Sequence, residues 1–99
     1  MSTDKLDIRH EEVDGRGAFF LEREHVRLAE MTYSRVSPKV VILDHTEVHE
    51  SLRGLGVARE LLDTAVAWAR TTGTKFDVTC PYAKAQFEKD PSIGDVLNR

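Results

Sequence analysis

The chain reads as an α+β domain: four antiparallel strands in a meander, a crossover helix, a fifth strand parallel to the fourth, and a C-terminal helix. Three observations predict this. Short β-prone runs separated by turn residues fill the first forty-odd positions. Four consecutive aliphatic residues, Val40-Val41-Ile42-Leu43, then mark a central strand. Beyond the glycine pair Gly54 and Gly56, the apolar spacing changes from strand to helix.

Each element follows from its residues. Ile8 and Val13 bracket a first strand that ends at the turn Asp14-Gly15-Arg16-Gly17, and Ala18-Phe19-Phe20-Leu21 makes the second. Glu22-Arg23-Glu24-His25 is expected as a hairpin tip. From Val26 to Val36, Ala29, Met31 and Tyr33 alternate with Glu30, Thr32 and Ser34, as in a strand with one wet face. Ser37-Pro38-Lys39 closes it, since proline has no N–H for a ladder. The unalternating Val40-Val41-Ile42-Leu43 predicts a strand covered on both faces, running on into Asp44-His45-Thr46-Glu47-Val48.

Ala58, Leu61, Leu62, Ala65, Trp68 and Ala69 then recur at helical spacing, and Gly73 supplies the stop. Lys75-Phe76-Asp77-Val78-Thr79 is a short strand, and strand–helix–strand at this spacing implies a right-handed crossover with a parallel pair. Pro81 opens a second helical segment through Lys89, which ends at Asp90-Pro91. Trp68, Phe19 and Phe20 are expected in the core, and Glu11-Glu12 on a solvated face.

Composition narrows the function. With 99 residues, 40% of them hydrophobic and 31% charged, the chain is expected to form one domain, residues 1–99 with a core at about 8–97. A net charge of −3 gives no broad attraction to nucleic acid or to an anionic membrane. One cysteine builds no disulfide framework and fits a reducing compartment. No apolar run approaches the ~18 residues of a membrane span, and the start has no apolar stretch of a secretory signal. A cytoplasmic location is the expectation. His10, His25 and His49 have no metal-ligand spacing, so no metal is expected.

The segment Val48-His49-Glu50-Ser51-Leu52-Arg53-Gly54-Leu55-Gly56-Val57-Ala58 carries the chemistry. A strand runs into an arginine- and glycine-bearing turn and straight into a helix. Gly54 and Gly56 permit unusual dihedrals and close approach. The first helical N–H groups lack partners, and the helix dipole there favours an anion. Arg53 adds charge at the rim. A phosphate site and a plain connector both remain open on these residues alone. The loop lacks the Gly-Lys-Ser/Thr ending of a Walker loop and the three-glycine spacing of a dinucleotide fingerprint.

Arg53, Gly56 and Ala58, spaced Arg-x-x-Gly-x-Ala, resemble the acyl-CoA pyrophosphate loop of the GCN5-related N-acetyltransferases (GNAT). More narrowly, His45-Thr46-Glu47-Val48 before the loop and Cys80-Pro81-Tyr82-Ala83 after the next strand resemble the very small YjdJ-type GNAT-like subfamily. The match runs from about Ile8 to Leu97. Two positions depart from it: the subfamily often has a proline within Val78-Thr79-Cys80, and Ile93 replaces a common aromatic.

The resemblance implies a minimal GNAT-like fold in which the fourth and fifth strands splay apart and admit the pantetheine of acetyl-CoA. Thr46, Glu47 and Val48 would then offer backbone groups to pantetheine. Arg53, Gly54, Leu55, Gly56, Val57 and Ala58 would hold the pyrophosphate. It implies transfer of acetyl to an unidentified amine, small molecule or protein, with a non-catalytic acyl-CoA-binding module as the alternative.

His45 suits a general base, since imidazole titrates near neutral pH, or it bonds a neighbouring strand. Glu47 suits a water relay or is a solvated edge charge. By simple alternation, His45 and Glu47 share one strand face, with Asp44 and Thr46 on the other. Cys80 is an acyl acceptor beside the thioester or a small buried hydrophobe. Tyr82 protonates the leaving thiolate or packs.

Overall fold

The computed structural model describes residues 7–99, so the charged start read at residues 1–6 lies outside the described residues. Five strands form one sheet in sequence order: β1 (Ile8–Val13), β2 (Arg16–Arg23), β3 (Val26–Ser37), β4 (Val40–Val48) and β5 (Lys75–Val78). The first four are antiparallel neighbours, and β5 runs parallel to β4. Helix α1 (Val57–Thr72) makes the crossover, and α2 (Pro81–Lys89) follows β5. The element order and the α+β class agree with the expectation. A 3-10 stretch, Pro91–Val96, lies beyond the expected stop at Asp90-Pro91, and Leu97 then bridges to Phe76.

Both hairpin tips are two-residue turns with positive φ at both positions, the geometry that matches strand twist. At the first, Asp14 and Gly15 turn, while Arg16 and Gly17 already belong to β2. At the second, Glu24 and His25 adopt φ 51° and 66° without any glycine. Gly73 takes the left-handed conformation that ends α1.

Helices α1 and α2 cover one sheet face. Phe19, Leu21, Ala29, Met31, Tyr33, Val41, Leu43 and Phe76 point into it and meet Leu61, Leu62, Ala65 and Ala69 of α1. The apolar run of β4 is therefore not covered on both faces by core. Val41 and Leu43 are fully buried, whereas Val40 and Ile42 are half-exposed on the helix-free face. Phe20 is buried there by a different device: the Arg27 guanidinium lies 3.9 Å from its ring centroid.

Glu11 and Glu12 are both exposed, as expected, but the Glu12 carboxylate is held by two partners. Tyr33 Oη donates to Glu12 Oε1 at 2.8 Å, and Arg35 grips the same carboxylate through Nε at 2.7 Å and Nη2 at 2.8 Å. Because that hydroxyl proton goes to Glu12, His10 Nε2 donates to Tyr33 Oη, at 2.6 Å. His10 stacks on Phe19 and meets the edge of Trp68, itself only partly buried. Gly17 makes room for Tyr33, since a Cβ there would stand 2.1 Å from Tyr33 Cζ.

Candidate acyl-CoA site

The β4–β5 ladder stops early, and that positions the site. Parallel pairing runs from Val40 opposite Lys75 to Leu43 opposite Val78. Thr79 N and Cys80 N then both donate to Leu43 O, at 2.9 and 3.0 Å. The strand expected to reach Thr79 ends at Val78, and Cys80 caps α2 instead of ending β5. Beyond Leu43, β4 continues to Val48 while the chain after β5 turns away into α2.

A bulge sits at the same place. Thr32 pairs with His45 and Tyr33 with Leu43, so Asp44 is the extra residue in β4. Asp44 bonds Thr32 Oγ1, Ser34 Oγ and Arg16 Nη1, all on the helix-free face. His45, opposite Thr32, lies on that face too, with Nε2 3.7 Å from Glu47 Oε1. The expected alternation is thus corrected at one residue. His45 and Glu47 do share a face, but Asp44 joins them, and only Thr46 and Val48 turn toward the helices.

Thr46 meets Cys80 there. Its Oγ1 lies 3.0 Å from Cys80 Sγ, and the cysteine is 1% exposed. The structure brings these two together and keeps His45 and Glu47 on the opposite side of β4. Alternation along the β3–β4 ladder, anchored by His49 N donating to Leu28 O at 2.7 Å, aims the backbone groups of Thr46 and Val48 away from β3.

The glycine loop closes the site's far end. A 3-10 turn, Glu50–Leu52, is started by His49, whose Nδ1 accepts from Ser51 N at 3.0 Å. Gly54 and Gly56 then take φ 79° and 73°, and an added Cβ would meet nothing within 4 Å at either. Conformation, not crowding within the chain, requires glycine here. Gly56 caps α1 without a side-chain hydrogen bond, and the first backbone bond of the helix is Glu60 N to Gly56 O. The preceding amides of Val57, Ala58 and Arg59 therefore stand at an uncapped helix end.

Val48, Arg53, Gly54, Gly56, Val57, Ala58 and Tyr82 line one cleft of about 290 Å³. Leu55 points outward, 64% exposed. Burial raises the Tyr82 pKa above that of a free phenol, so it stays protonated at neutral pH. An oligophosphate fits this donor set: uncapped amides, open space beside two glycines, and a guanidinium at the rim. Arg59 also borders the cleft, but its charge is already taken. Its Nε donates to Asp63 at 2.8 Å, Nη1 to Gln86 at 2.7 Å, and Nη2 to Asp90, which fastens α1 to α2. Only the Asp63 contact, four residues along the helix, has a local signal in the sequence.

Among the described residues, no helix is long and apolar enough to cross a membrane. Residues 18–96 match the profile of the GCN5-related N-acetyltransferase family. The chain is 34% identical to a GCN5-like N-acetyltransferase of Staphylococcus aureus, described as putative, whose solution structure it matches with a TM-score of 0.71. That match covers 99% of this chain and 91% of the other. An aminoglycoside N-acetyltransferase crystallised with CoA is 18% identical, with 88% and 89% of the two chains covered, and shares the fold at a TM-score of 0.56. Protein NATD1 of Xenopus tropicalis is 33% identical over 63 residues, 64% of this chain, which spans only 58% of that relative. With the interrupted β4–β5 ladder, the bulge and the glycine loop in place, the chain belongs to the GCN5-related N-acetyltransferase family.

Proposed function

We propose that this single domain binds acetyl-CoA and transfers its acetyl group to an amine, in the cytoplasm. The observation that carries the reading is the early end of the β4–β5 ladder beside the uncapped helix N-terminus. Thr46 and Val48 offer backbone groups to pantetheine where β5 no longer pairs, while those of Glu47 face β3. The amides of residues 53–58, with the Arg53 guanidinium, hold the pyrophosphate. The cleft between them joins the two stations.

The residues then divide the chemistry. His45 takes a proton from the attacking amine, whose nitrogen forms a bond to the acetyl carbon as the carbon–sulfur bond breaks. Tyr82, protonated at neutral pH as any phenol is, returns a proton to the departing thiolate. Glu47, 3.7 Å from His45, orients the imidazole or passes the proton on. A route by way of Cys80 requires the thiol to leave Thr46 and take the acetyl group as a thioester before the amine does. Burial of that thiol supports direct transfer as the main route, and also leaves standing an acyl-CoA-binding module without turnover.

Incubation with acetyl-CoA and a panel of amines, with released CoA thiol as readout, tests the reading. Amine-dependent release supports transfer. Binding of acetyl-CoA with no release by any amine supports the module.

A further inference from the structure

The two edges of the sheet differ. Along β5, Leu97 bridges to Phe76 and Asn98 N donates to Phe76 O at 2.9 Å, so residues 97 and 98 cover that edge. At the other edge, β1 pairs with β2 alone among the described residues. It runs for 6 residues in unbroken register, with neither the proline nor the bulge that blunts many edges. What guards it is charge, on Arg9, Glu11 and Glu12. The turn at Asp14 and Gly15 makes Val13 and Arg16 a hydrogen-bonded pair. Val13, Glu11 and Arg9 thus aim their backbone groups at β2, and Ile8, His10 and Glu12 aim theirs outward.

We propose that this edge pairs with a second copy of the chain, antiparallel through β1 and centred on His10, so that two sheets become one. A two-fold axis normal to the sheet keeps the helices of both copies on one side, so residues of the same face must oppose each other. The axis then passes through a residue, and charge selects which. At Glu11 two glutamates would meet, at Arg9 two arginines, and at Glu12 the overlap would run into the turn at Asp14. At His10, Arg9 opposes the second copy's Glu11 and Glu11 its Arg9, in the non-hydrogen-bonded positions where side chains come closest. Arg9 is free to turn to it, since its ion-pair partner in the chain is the exposed Asp7, at 3.6 Å. The two axial His10 rings do not collide, because each is turned inward to stack on Phe19 and bond Tyr33. Ile8, His10 and Glu12 of each copy all gain backbone partners. Helix α1 packs chiefly on β3, and β4 and β5 lie at the far edge. The helices therefore stay apart, and both acyl-CoA clefts stay open.

Sedimentation velocity over a series of protein concentrations tests this, with circular dichroism as the control for folding. A reversible dimer with a Kd below about 1 mM is expected. Arg9→Glu sets like charges at both crossings and is expected to weaken the dimer about tenfold, with the dichroism spectrum unchanged. Adding Glu11→Arg to that variant restores opposite charges in the reversed sense, and dimerisation is expected to return to within a few fold of the wild type. A monomer throughout, a dimer indifferent to Arg9→Glu, or a double variant no better than the single one would overturn the proposal.

Discussion

Thr46 Oγ1 and Cys80 Sγ lie 3.0 Å apart where β4 and β5 part, so the only thiol of the chain is held at the apex of the opening. Small, buried and hydrogen-bonded, Cys80 has the surroundings of a packing residue. Its position beside the end of the paired ladder is also where a thioester would arrive. Mass spectrometry after exposure to acetyl-CoA decides between these roles. An acyl-carrier role predicts one acetyl mass on the wild type that Cys80→Ala lacks. Equal spectra leave Cys80 as packing.

His45 stands on the helix-free face, across β4 from Cys80, so its role separates from cofactor binding. His45→Ala is expected to abolish amine-dependent CoA release while acetyl-CoA affinity stays within a few fold. Unchanged release in the variant would remove the base assignment.

Gly56 carries two burdens, the left-handed turn into α1 and the uncapped amides beyond it. Gly56→Ala meets no clash, since nothing lies within 4 Å of the added Cβ. Only the positive φ penalises alanine, by about 1–2 kcal/mol. Urea denaturation checks that loss, and acetyl-CoA affinity is expected to fall with it. A variant as stable as the wild type would show that the loop relaxes out of this conformation.

Acid stability tests the polar cluster around the Tyr33 hydroxyl. Arg35, hydrogen-bonded to Glu12, is the main cause that lowers its pKa from 4.5 to about 2, and the Tyr33 hydroxyl adds to this. A depressed carboxylate stabilises the fold fully above its ordinary pKa, and that contribution is lost as pH falls from 4.5 toward 2. Burial lowers His10 below its ordinary 6.5, so protonation opposes folding, and stability declines as pH drops below that value. Melting temperature against pH is expected to fall in two stages, and Glu12→Gln is expected to flatten the more acidic one. An unchanged acid limb in that variant would contradict the role of Glu12.

Much of this was legible in the sequence because its signals are local. The alternation of Ala29, Met31 and Tyr33, the helical spacing from Ala58 to Ala69, and the placement of Gly56 and Gly73 each act within a few residues. The bulge at Asp44 was not legible, because it exists only relative to Thr32 and Tyr33 on another strand. Without it, alternation assigns Asp44 to the wrong face. The partners of Glu12 escaped for the same reason, as they lie 21 and 23 residues away. The turn at Glu24 and His25 was found from its charge, though neither residue announces a positive φ. Of the site, the loop could be read directly, whereas the Thr46–Cys80 contact and the Arg59–Asp90 fastening needed the tertiary fold.

The central claim is that acetyl-CoA lies between the free stretch of β4 and the loop before α1. Titrating the labelled protein with acetyl-CoA and following backbone amide shifts tests it most directly. The account predicts saturable shifts at residues 46–48 and 54–58 together, with the β1–β2 hairpin unmoved. No shift at residues 54–58, or shifts confined to another surface, would contradict it.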